Sequence, residues 1–87
     1  MTTSSIDLTP FGFTATETLA YRRLLSGGPV TGYALAKDLL IARANAYQAL
    51  RGLVGKGAAL MTTDTPPRFR AVRPVDLYAA IVGRQTG

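Results

Sequence analysis

Apolar residues recur along this chain first with helical spacing, then with strand spacing, then with helical spacing again. Thr14-Ala-Thr-Glu17 reads as a capping box, in which the hydroxyl accepts from the glutamate amide and the carboxylate reaches back. Tyr21, Leu24 and Leu25 then mark the inward face of a first helix, and Ser26-Gly-Gly-Pro29 ends it near Leu25. Val30 is a short apolar link, and Thr31 offers the next N-cap. A second helix is expected from Gly32 to about Leu39, with Leu35, Ala36 and Leu39 on one face. After a short turn at Leu40–Ala42, a third helix runs from Arg43 to about Lys56, with Gly57 just past its end.

On a helical wheel, Ala46, Ala49, Leu50, Leu53 and Val54 of the third helix fall on one side. Ala44, Asn45, Gln48, Arg51, Gly52 and Gly55 fall on the other, giving an outward face of small, polar and cationic residues without an acid. The period then changes to two. Ala59–Thr63 and Arg68–Val72 read as strands joined by Asp64-Thr-Pro-Pro67, with Phe69 and Ala71 alternating with Arg68 and Arg70. Pro74 opens a last helix, from Val75 to about Val82, with Leu77, Tyr78 and Ile81 on its apolar side. Residues 1–10 are polar and expected to form a flexible terminus; Phe11 and Phe13 are the first expected apolar anchors. A single domain is expected over 11–87.

The expected architecture is therefore mainly α with a small β-hairpin. Helices two and three are joined too closely to pack antiparallel along their lengths, so they must cross steeply, as in a helix-turn-helix. A hairpin directly after the second helix of that pair makes the arrangement a winged helix-turn-helix: a three-helix core, a two-stranded wing and a C-terminal helix.

Composition narrows the function. With 87 residues there is room for one domain. Cysteine and histidine are absent, and the five acids (Asp7, Glu17, Asp38, Asp64, Asp76) are scattered with no pair at ligand spacing. No catalytic residue, metal site or cofactor is expected, so the chain is not expected to be an enzyme. No apolar run approaches the roughly 20 residues of a membrane span, and the first residues lack the features of a signal peptide. A cytoplasmic location without membrane contact is the expectation. The net charge is +5, and no acid occurs from Leu39 to Thr63 while Arg43, Arg51 and Lys56 do. A cationic surface so distributed suits a polyanion.

The fragments, in order, resemble the N-terminal DNA-binding domain of TrmB-type transcriptional regulators, the sugar-responsive repressors of archaea and bacteria. Phe11-Gly-Phe-Thr-Ala-Thr-Glu17 is similar to their opening LGLSEYE, and Tyr21 stands where they carry a tyrosine on the first helix. Gly28-Pro-Val-Thr31 with Ala34-Leu-Ala36 is similar to GPLTASELA, and Ile41 to Arg51 to VPRSRVYDVLR. Lys56-Gly57 and Arg68-Phe-Arg-Ala-Val72 complete the match to KG and RYRAV, so the resemblance spans about Phe11 to Ile81. It implies that Arg43 to Gln48 read bases, that Arg68 and Arg70 belong to the wing, and that Tyr47 packs at the base of the recognition helix.

The chain departs from the family pattern at Leu40, where the family has a turn glycine, and at Gly52 and Gly55, which replace larger polar residues. Leu19 stands at a position that is usually polar. No small-molecule effector domain is evident, so sugar sensing is not carried over.

The leading expectation is a sequence-specific regulator that binds double-stranded DNA as a homodimer. The recognition helix, about 43–56, would enter the major groove through Arg43, Ala44, Asn45 and Gln48. Thr31, Arg51 and Lys56 would contact phosphates. The wing, about 59–72, would reach the backbone or minor groove through Arg68 and Arg70. Leu19, Tyr78 and Ile81 are the places to look for a dimer contact. The alternative is a winged helix used as a protein–protein interaction module. An RNA or single-strand binder is disfavoured by the lack of a cluster of exposed aromatics.

Overall fold

The computed structural model describes residues 7–86, with side chains described as far as Gly83. Two threonines start the first two helices. The Thr14 hydroxyl accepts from the Glu17 amide at 3.0 Å, and the Glu17 carboxylate accepts from the Thr14 amide at 2.8 Å. This complete capping box opens α1 (Ala15–Gly27). The Thr31 hydroxyl accepts from the Ala34 amide at 3.1 Å and caps α2 (Gly32–Leu39). Helix α3 (Arg43–Gly55) begins at Ala42 with no side-chain cap. Its C-terminus closes on Gly57, whose φ of +80° suits the left-handed position. The Gly57 amide donates to Val54 O at 3.1 Å and the Ala58 amide to Leu53 O at 2.8 Å, the paired bonds of a Schellman motif.

The apolar periods seen in the sequence become the core. Tyr21 and Leu24 of α1, Leu35 of α2 and Leu50 and Leu53 of α3 are its largest fully buried side chains. Each such leucine contributes roughly 1.5–3 kcal/mol over an exposed one. Helices α1 and α2 both pack on α3, and the connection of α2 to α3 is the expected short turn.

That turn is made by Leu40, which takes the left-handed conformation itself (φ 57°, ψ 44°) with its side chain almost wholly in solvent. A leucine there stores about 1 kcal/mol of strain, which a glycine would avoid.

The hairpin of β2 (Ala59–Met61) and β3 (Arg68–Ala71) is antiparallel, with Ala59 opposite Ala71, Leu60 opposite Arg70 and Met61 opposite Phe69. Val30, expected as a link, is instead half of a third strand, β1 (Val30–Thr31). It pairs with β3, Val30 opposite Phe69 and Thr31 opposite Arg68, so β3 is central and the sheet order is β1-β3-β2. The reason is local burial: Val30 and Phe69 are both buried and share the core face.

Helix α4 (Pro74–Thr86) closes the fold, with Leu77 buried. Tyr78, expected inward, is exposed, and with Phe11, Leu77 and Ile81 it lines an apolar groove of about 260 Å³.

The ordered chain begins before Phe11. Residues 1–6 of the expected flexible terminus lie outside the described residues. Leu8, however, is buried, and a short 3-10 turn covers Thr9–Phe11. Asp7 accepts from the Thr9 amide and hydroxyl, and those bonds hold its carboxyl below the usual value. Leu8 and Phe13 are the anchors, whereas Phe11 is half exposed.

Candidate nucleic-acid interface

Helix α3 is positioned from behind. Ala46, Ala49, Leu50 and Leu53 are buried against α1 and α2, which leaves Arg43, Ala44, Asn45, Gln48 and Arg51 exposed. No acid stands among them. Arg51 has no ion-pair partner among the described residues, nor have Arg68 and Arg70. The missing side-chain cap leaves the first amides of α3 at an electropositive helix end. Asn45 and Gln48 edge a polar notch of about 220 Å³, shared with Thr14, Thr16 and Glu17 of the α1 start.

The wing carries its cations on the solvent face. Phe69 is buried while Arg68 and Arg70 are exposed, so the alternation read in the sequence sets the strand's two faces. Register puts Arg68 beside Thr31, and with it beside the start of α2. The Thr31 hydroxyl uses an acceptor lone pair for its cap and keeps its proton to donate. The wing tip is tied by Thr62, whose hydroxyl donates to Asp64 at 2.9 Å and accepts from the Arg68 amide at 3.0 Å.

Two expectations change. Lys56, expected at a flanking phosphate, is tied to the start of α1 with its side chain still about a third exposed. Its ammonium donates to Glu17 at 2.6 Å and to Gly12 O at 2.8 Å, and lies 5.0 Å from the Phe13 ring centre. It fastens the end of α3 to the start of α1. Gly52, expected outward, faces Glu17: a Cβ there would run into the Glu17 carboxylate. Gly55 does face open space.

Arg23 ties α1 to α2 through Asp38, with its Nε 2.8 Å and its Nη2 2.6 Å from the same carboxylate oxygen. Tyr47 is half-buried and lies against Gly32, consistent with the packing role implied for it. Tyr21 donates to Val72 O at 2.6 Å, and burial pushes its phenol up to about 12.

In the sequence Tyr33 could stack on a base but is expected to pack in the fold, and Lys37 is not singled out. Tyr33 is half exposed rather than packed away, with the Arg43 guanidinium 5.0 Å and the Lys37 ammonium 5.5 Å from its ring centre. The i, i+4 spacing of Tyr33 and Lys37 was the available signal. The approach of Arg43 depends on the α2–α3 crossing.

The family described as "Sugar-specific transcriptional regulator TrmB" matches residues 8–75 of the chain. YrhO of Bacillus subtilis strain 168, an uncharacterised protein, is 35% identical over 65 residues, which are 75% of this chain and 24% of YrhO. Among solved structures, TrmBL2, described as an archaeal chromatin protein with a novel mode of DNA binding, superposes with a TM-score of 0.83. It is 25% identical, and the match covers 91% of this chain and 31% of TrmBL2. A MarR family protein from Bacillus stearothermophilus shares the fold, with a TM-score of 0.69 at 17% identity over 91% of this chain and 58% of that one. The chain thus spans about a quarter of YrhO and a third of TrmBL2. Among the described residues, no helix is long and apolar enough to cross a membrane.

Proposed function

The chain belongs to the TrmB family of transcriptional regulators, and from that premise we propose that it is a sequence-specific reader of double-stranded DNA, acting as a homodimer in the cytoplasm. The observation that carries the proposal is the exposed face of α3, polar and cationic without an acid, on a winged helix-turn-helix whose wing exposes two further arginines. The DNA binding named for TrmBL2 supports it.

In this reading α3 lies in the major groove with Arg43, Ala44, Asn45 and Gln48 toward the bases. Asn45 and Gln48 have the paired donor and acceptor that suit an adenine edge. Ala44 adds little bulk, which allows close approach. Arg51 and Thr31 contact the flanking backbone, and Arg68 and Arg70 the backbone or minor groove beside it. Lys56 fixes the end of α3 on the start of α1 and is placed to meet a flanking phosphate from there. Dimerisation follows from the pairing of half-sites that helix-turn-helix proteins use. The family and the fold are those of transcription regulators rather than enzymes.

Selection of bound duplexes from a random pool tests the reading. A palindromic consensus is expected, with half-sites about one helical turn apart. Recovery of no enriched sequence would count against specific reading.

A further inference from the structure

Tyr33, Lys37 and Arg43 form a cluster of which the reading above uses Arg43 alone. Two cations stand within 5.5 Å of one aromatic ring centre, one from the last turn of α2 and one from the first residue of α3. Like charges repel, and both ends belong to flexible side chains with exposed residues, so their gathering needs a cause. The negative π faces of the ring attract both cations. Among the described residues, no carboxylate neutralises the pair. Asp38, next to Lys37 in sequence, is engaged by Arg23 at 2.6 Å, and the other described acids are bound elsewhere or lie on the N-terminal segment, the wing tip or α4.

The cluster surrounds a shallow open notch of about 300 Å³ lined also by Ala36, Leu40 and Ile41. The uncapped start of α3 adds the positive end of a helix at Arg43 itself.

We propose that the Tyr33 ring gathers Lys37 and Arg43 into a two-cation seat for one backbone phosphate of the duplex, at the edge of the groove that α3 enters. The proposal rests on the duplex-binding reading and deepens it. Lys37 becomes a DNA contact, and Tyr33 becomes a positioning residue that acts through the two cations. In this refinement Arg43, set toward the bases in the reading above, takes the backbone phosphate at the edge of the groove, while Asn45 and Gln48 further along α3 read bases. A guanidinium already held at a ring loses less freedom on taking a phosphate than a free one does.

The test is equilibrium binding of the full chain to a mixed-sequence duplex of about 24 base pairs, long enough for two half-sites, between 50 and 200 mM salt. Lys37→Ala is expected to weaken binding to every duplex alike and to lower the slope of log affinity against log salt by about 0.9 per protomer contact. Tyr33→Ala is expected to weaken binding roughly fivefold at 50 mM salt. Tyr33→Phe, which keeps the ring, is expected to bind like the parent; a loss as large as that of Tyr33→Ala would overturn the role given to the ring. Arg43→Ala should cost less in the Tyr33→Ala background than alone, because the two act together. The half-exposed Tyr33 side chain makes these variants compatible with folding. If the parent binds and Lys37→Ala changes neither affinity nor slope, or if Tyr33→Ala and Arg43→Ala simply add, the seat is wrong while duplex binding stands. If the parent shows no duplex binding at 50 mM salt, both fall.

Discussion

At the scale of single residues, two glycines on one helix have opposite consequences. Gly52 is close against Glu17, whose carboxylate already serves the Thr14 amide and the Lys56 ammonium. A methyl group there forces that carboxylate aside, and overpacking of this kind costs about 1–3 kcal/mol. The gain in helix propensity, about 1 kcal/mol, offsets only part of it. Gly55 faces open space, so only the propensity term acts. Thermal unfolding should therefore separate them: Gly52→Ala lowers the midpoint and Gly55→Ala raises it. A rise for both would dismiss the account of Gly52. Leu40 is the reverse case, a side chain where the backbone asks for none. Leu40→Gly removes left-handed strain at an exposed site and should stabilise by about 1 kcal/mol, a rise of roughly 4–8 °C in midpoint for a domain of this size.

At the scale of elements, Tyr21 links α1 to the segment between β3 and α4 through its bond to Val72 O. Its phenol is raised to about 12 in the fold against 10 for the ordinary group, so the native state keeps the proton where the unfolded chain loses it. Stability from this group is complete below pH 10 and falls as pH rises toward 12. An alkaline unfolding curve should show that loss, and Tyr21→Phe should remove the steepest part of it; an unchanged curve would mean that Tyr21 does not govern it.

Elements whose cause is local were legible in the sequence: the two threonine caps, the stop within Ser26–Pro29 (two residues beyond the expected Leu25), the Gly57 close and the alternation of Arg68, Phe69 and Arg70. Strand β1 was not, because two residues have no period and Val30 is a strand only by pairing with Phe69 far along the chain. The candidate site divides in the same way. The exposed α3 face follows from a wheel. The internal engagement of Lys56, the closeness of Gly52 to Glu17 and the gathering of Arg43 at Tyr33 depend on how helices cross, which charge and spacing along one helix do not encode.

At the scale of the whole molecule, the net charge of +5 is arranged rather than merely present. Three of the five acids are tied in ion pairs with Arg23, Lys56 and Arg73, while Arg43, Arg51, Arg68 and Arg70 have no carboxylate partner among the described residues. Much of the unneutralised charge thus sits on α3 and the wing, with Lys37 of α2 beside Arg43 at the Tyr33 ring. Its central consequence is measured most directly by the affinity of the chain for duplex DNA as salt rises from 50 to 200 mM. Six engaged phosphates predict a loss of about 10³-fold or more over that range. Binding indifferent to salt, or no binding at 50 mM, would contradict the assignment of α3 and the wing as a DNA-binding surface.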